Sequence, residues 1–127
     1  METSFAGNPL VIINITYDPG PGGGDGFEGE IVLELFLNWA PITVSNFLGL
    51  VNQSFYEGIF YHRIIDDFVI QSGDPECTTV GVYPVTNLNC GEGGSGETIP
   101  FEWDANLTHI NGAIGMARGA DPDSAES

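Results

Sequence analysis

Phe60-Tyr61-His62-Arg63-Ile64-Ile65-Asp66-Asp67-Phe68-Val69-Ile70-Gln71-Ser72-Gly73-Asp74 sets two short apolar runs on either side of an acidic pair. The β-branched and aromatic residues of Ile59 to Ile65 and of Phe68 to Ser72 predict two strands, with Asp66-Asp67 as the turn between them. Arg63 stands inside the first run and is one of only two basic side chains among 127 residues. In an ideal strand it shares a face with Tyr61 and Ile65, and Phe68 and Gln71 follow on the return strand. A permanent cation with a rigid fork of donors, an aromatic wall and an amide donor describe a site that polarises an amide. Such a site needs neither a metal nor a nucleophile.

Outward from this stretch the chain alternates strand and turn signals. Leu10 to Tyr17 places Val11, Ile13, Ile15 and Tyr17 on one face, the period-2 pattern of a half-buried strand. Asp18 to Gly26, dense in glycine and proline, predicts a long hairpin connection. Its Gly22-Gly23-Gly24-Asp25-Gly26 is similar to calcium-binding glycine-aspartate repeats, but a single copy without a period reads as a plain loop. Glu30 to Leu37 predicts a second strand with Ile31, Leu33, Leu35 and Leu37 inward. Pro41 suits the first turn of a helix, and Ile42, Val44, Phe47, Leu48 and Val51 give that helix an apolar stripe, ended by Asn52 to Gly58. Further on, Asn111 to Ala117 predicts a short buried strand and Gly119 to Ser127 a polar loop.

The opening stretch resembles the signature of the cyclophilins, the peptidyl-prolyl cis-trans isomerases, whose pattern runs F-H-R-x-I-x-x-F-x-x-Q-G-G-D. Tyr61, His62, Arg63, Ile65, Phe68, Gln71, Gly73 and Asp74 fall in register with it. Val69 stands where the family usually has a methionine, Ser72 replaces the first glycine of the pair, and Asp66-Asp67 replaces a proline-glycine turn. Upstream, Gly29 to Phe36 and Ala40 to Phe47 look like the family's second strand and first helix. Downstream, Gly93 to Glu102, Leu107-Thr108-His109 and Gly112 to Arg118 follow the bacterial-type pattern in order. The resemblance spans Pro9 to Ser127 and implies one all-β domain over 1–127, an antiparallel cyclophilin-like barrel with a capping helix. Residues 75–92 read as an inserted loop. The family continues directly after the position matching Ser127, so the expectation is a domain lacking its C-terminal strands.

The resemblance also implies roles. Arg63 takes the place of the arginine that stabilises the twisted prolyl amide, Phe68 that of a wall of the proline pocket, and Gln71 that of the amide that bonds the peptide backbone. Val69 and Gly91 correspond to residues of the proline pocket and its neighbour, and Ala117 and Arg118 to a pair lining the peptide groove. The implied partners are proline-containing peptide segments of other proteins and cyclosporin-like ligands. The implied state is a monomer that uses no cofactor. A rival reading is a non-catalytic peptide-binding or chaperone-like module, and a remoter one an acidic calcium-binding β-domain.

Two basic against 18 acidic residues give a formal charge of −16, with no lysine at all. That balance argues against nucleic acid as a partner, which requires a positive footprint. It fits a solvated acidic surface suited to a saline environment, where salt screens self-repulsion. No apolar run is long enough to span a membrane, and the first residues lack the features of a signal peptide. The sequons at Asn14, Asn52 and Asn106 read as chance.

Cys77 and Cys90 are the only cysteines. Paired, they would close a loop of about 15 residues, worth roughly 3 kcal/mol in the chain-entropy model, and would favour an extracytoplasmic location. As free thiols they would fit the cytoplasm. Zinc is disfavoured, since no CxxC spacing exists and only His62 and His109 would remain to complete a site. Both histidines read as structural.

Overall fold

A computed structural model of the protein describes residues 7–78 and 88–127. These fall into two compact units, Met1–Asn38 and Trp39–Ser127. The first is an antiparallel hairpin of β1 (Leu10–Tyr17) and β2 (Phe27–Glu34), paired from Leu10 opposite Glu34 to Tyr17 opposite Phe27. One face carries Val11 opposite Leu33 and Ile13 opposite Ile31, and Val11, Leu33 and the following Leu35 are its buried residues. The glycine-rich connection is a loop, as expected. Asp18 accepts the N–H of Gly20 at 2.8 Å, and the rings of Tyr17 and Phe27 meet at 5.3 Å where the strands part.

The second strand starts earlier and ends earlier than the apolar alternation predicts. The Leu35 N–H still reaches the Pro9 carbonyl, but the Leu37 N–H turns back to the Leu35 carbonyl at 3.1 Å. That tight turn takes Leu37 off the inward face, and it is 39% exposed.

The second unit opens with α1 (Pro41–Asn52), whose first turn contains the expected proline. Val44 is its buried residue. Its N-cap is Ala40, which has no side-chain acceptor. The free N–H groups of Ile42 and Thr43 are instead received by the two carboxylate oxygens of Glu102, each at 2.9 Å. An anion there also faces the positive end of the helix dipole. Phe47, Phe55 and Tyr56 cluster beyond it, with the Tyr56 ring centroid 5.3 Å from that of Phe47 and 5.1 Å from that of Phe55.

β3 (Arg63–Ile65) and β4 (Val69–Gln71) form a second antiparallel hairpin, shorter than predicted at the outer ends. The Asp66-Asp67 turn is present. The Phe68 N–H bonds the Ile65 carbonyl at 3.2 Å, and Asp67 takes φ 55°, a left-handed conformation that aspartate tolerates better than most residues. Residues 111–117 do not form the expected buried strand. Ile114 is 58% exposed, because a strand needs a neighbour for its backbone and among the described residues this segment has none. Gly119 to Ser127 is more than a polar loop, since Ala125 is buried and bridges Ile99 in an antiparallel pair.

The architecture is therefore strand-rich with a single helix among the described residues. No helix among them is long and apolar enough to cross a membrane. Much of the expected inserted loop, residues 79–87 of 75–92, lies outside the described residues.

Candidate functional site

The β3–β4 register puts Arg63 directly opposite Gln71 and Ile65 opposite Val69. Across the hairpin the Arg63 guanidinium donates to Gln71 Oε1 at 3.2 Å. The turn then returns Phe68 over the same side, its ring centroid 5.3 Å from the Arg63 Cζ. Two residues separated from it in sequence, Gln71 and Phe68, thus converge on the Arg63 cation. The Phe68 ring is 72% exposed, so its face is open to a ligand, and Val69 beside it is half-buried. The hydrogen bond to Gln71 and the π face of Phe68 together brace the guanidinium.

Behind the hairpin the chain is pinned by Asp74, which is 3% exposed. Its carboxylate accepts the backbone N–H groups of Glu76 at 2.8 Å, Gly93 at 2.9 Å and Gly91 at 2.5 Å. Burial pushes the carboxyl upward, but the amides of Gly93, Glu76 and Gly91, together with the nearby His62, outweigh it and hold Asp74 below its ordinary value. Gly91 therefore belongs to this cluster, with φ 101° that a side chain would strain. Gly73, at φ 110°, allows Ser127 to approach; a Cβ there would lie 3.0 Å from the Ser127 carbonyl oxygen. Ser72, the departure from the family's first glycine, donates its hydroxyl to the Phe60 carbonyl at 3.2 Å.

Cys77 and Cys90 form a disulfide. Cys77 is fully buried, its N–H bonds the Asp74 carbonyl at 3.0 Å, and its carbonyl receives the Phe60 N–H at 2.9 Å. His62 packs against the same place, with its Cδ2 3.5 Å from where a Gly91 Cβ would stand. Ala117 and Arg118 are exposed, and the Arg118 guanidinium lies 5.6 Å from the Phe101 ring centroid. His109 is exposed and packs on Gly115.

Sequence reasoning treats Asp74 only as the end of a motif and misses its bonds to the backbone of Glu76, Gly91 and Gly93. The available signal is chemical. A carboxylate among glycines, in a chain of two basic residues, has few cations to pair with and must take its partners from backbone N–H groups. The convergence of His62 on Cys77 and Cys90 carries no sequence spacing that announces it.

An exposed cation thus stands braced by an amide and an aromatic ring on a hairpin. The chain belongs to the cyclophilin type peptidyl-prolyl cis-trans isomerase/CLD family, whose model matches residues 23–127. It is 42% identical over 90 residues to a putative bifunctional phosphatase/peptidyl-prolyl cis-trans isomerase of Streptococcus pyogenes serotype M6, covering 71% of this chain and 17% of that protein. It is 38% identical over 90 residues to a putative peptidyl-prolyl cis-trans isomerase of Staphylococcus aureus strain USA300, covering 71% of this chain and 41% of that protein. The match thus spans less than half the length of these relatives. No solved structure matches the chain significantly.

Proposed function

We propose that the protein catalyses rotation about X-Pro peptide bonds, with Arg63 as the electrostatic centre. The observation that carries this reading is the bracing of Arg63 between Gln71 Oε1, at 3.2 Å, and the Phe68 ring, at 5.3 Å, on an accessible hairpin. The C–N bond of the amide resists rotation because of its partial double-bond character, so an X-Pro bond isomerises in tens to hundreds of seconds unaided. In the twisted state the prolyl nitrogen becomes pyramidal and offers a lone pair that the planar amide lacks. A fixed guanidinium that donates to it stabilises the transition state more than either ground state. Phe68 and Val69 receive the proline ring, Gln71 bonds the peptide backbone, and Gly91, Ala117 and Arg118 border the groove on which the flanking residues lie.

The same proposal includes an antiparallel cyclophilin-like barrel fold, a monomeric state, proline-containing segments of other proteins as substrates, and cyclosporin-like ligands as competitors. It also includes an extracytoplasmic location, which the Cys77–Cys90 disulfide supports. Exchange spectroscopy by NMR on an X-Pro peptide tests it, because cis and trans resonances exchange on that timescale only if rotation is catalysed. Cross-peaks that appear with the protein, weaken on Phe68→Ala and vanish with cyclosporin are the expected result. Peptide line-broadening without cis-trans exchange would replace the enzyme by a non-catalytic peptide-binding module.

A further inference from the structure

His62, Cys77 and Cys90 each offer a ligand atom, and these atoms all lie within 4.8 Å of one another. We propose that the reduced form of the Cys77–Cys90 bond, together with His62, is a binding site for a borderline-soft divalent cation of the zinc type. Zn–S bonds of about 2.3 Å and Zn–N bonds of about 2.0–2.1 Å in a tetrahedron require ligand atoms roughly 3.5 to 3.8 Å apart. A disulfide holds its sulfurs about 2.0 Å apart, so the two must separate by roughly 1.8 Å, which rotation about the Cα–Cβ bonds covers.

A second observation points to a ligand. The Nδ1 of His62 is buried and has no hydrogen-bond partner among the described residues. Buried ring nitrogens are rarely left so, and the ring already packs beside the sulfurs. Cys77 is fully buried, whereas Cys90 and His62 are half-buried, so one side stays open for a water as fourth ligand. Asp74 is nearby, but its oxygens are taken by three backbone N–H groups, and it contributes charge without being a ligand. Two thiolates and an imidazole select zinc-like ions over calcium or magnesium, which prefer oxygen. A formal charge of −16 favours any cation.

Loading requires a dithiol reductant. Its thiolate attacks Sγ of Cys90, the more accessible sulfur, and Cys77 leaves as thiolate. The reductant's second thiol then closes the reductant's own disulfide and frees Cys90. The two electrons thus pass from the dithiol to the cystine, and the two thiol protons go to solvent when the metal binds.

Co2+ is the probe, added to the intact chain after reduction with dithiothreitol and removal of the reductant under argon. One equivalent should give near-ultraviolet thiolate-to-cobalt absorption and visible tetrahedral bands, both erased by Zn2+, while the oxidised chain gives neither. His62→Ala should weaken Co2+ binding at least 10-fold and Cys90→Ser should remove most of the thiolate band. In parallel, Zn2+ should raise the Tm of the reduced chain but not of the oxidised one. The proposal is overturned if the reduced chain shows no thiolate-to-cobalt band. Equal affinity in His62→Ala also overturns it, because binding by an unfolded dithiol would not depend on His62.

Discussion

Asp74→Asn is expected to cost about 3 kcal/mol of stability. The carboxylate receives Gly91 and Gly93 on Oδ2 and Glu76 on Oδ1, whereas an asparagine has one acceptor oxygen and turns an NH2 group toward the remaining N–H. One charge-assisted hydrogen bond is therefore lost, worth about 1.5–3 kcal/mol, and the two survivors fall to neutral bonds worth about 0.5–1.5 kcal/mol each. The gross loss is about 3.5 to 6 kcal/mol, part of which returns because a neutral amide is easier to bury than a carboxylate. Urea unfolding at pH 7, followed by the fluorescence of Trp39 and Trp103, measures the difference. The pH dependence provides a second reading. Because the folded-state pKa of Asp74 lies below its ordinary 3.8, its contribution is complete above that value and is lost as pH falls through the depressed one. The variant should lack that acid-side loss. A stability change under about 1 kcal/mol at pH 7 would refute the assignment of Asp74 as the pin of Glu76, Gly91 and Gly93.

Glu102→Ala should lower stability by about 1 kcal/mol, the usual cost of losing an N-terminal cap, read as a lower Tm with the α1 signal reduced in circular dichroism. Tyr56→Phe should stabilise the protein by about 1 kcal/mol in urea, because the buried Tyr56 hydroxyl has no partner among the described residues. Burial also raises the Tyr56 pKa from 10.0 to about 12, so the folded state holds that proton more tightly than the unfolded one. Wild-type stability should therefore be level with respect to this group below pH 10 and fall between pH 10 and about 12, where the unfolded chain ionises first, a decline that Tyr56→Phe removes.

Legibility in the sequence follows the range of the interactions. β1, the glycine-rich connection, the proline-started helix and the Arg63–Gln71 hairpin are written in local periodicity and turn chemistry, and all appear, the hairpin with shorter strands than expected. Leu37 and Asn111 to Ala117 mislead because apolar alternation reports a preference for burial without saying whether a partner strand is present. The capping of α1 by Glu102, 60 residues away from Ile42, has no local signature. Within the site, Arg63, Phe68 and Gln71 are legible because one hairpin register unites them. The Asp74 pin and the meeting of His62 with the cystine depend on how the segment from Asn89 to Gly93 folds back onto Asp74, and spacing alone does not encode that.

The catalytic claim rests on one guanidinium, and Arg63→Ala tests it most directly. Removing a single well-placed donor to a developing transition state typically costs about 100- to 1,000-fold in rate, or about 2.7–4 kcal/mol. Measured as kcat/KM on an X-Pro peptide, with circular dichroism confirming an unchanged fold, the variant should lose at least about 100-fold while still binding peptide. Retention of more than roughly a third of the wild-type rate, against the loss expected for such a donor, would contradict Arg63 as the electrostatic centre.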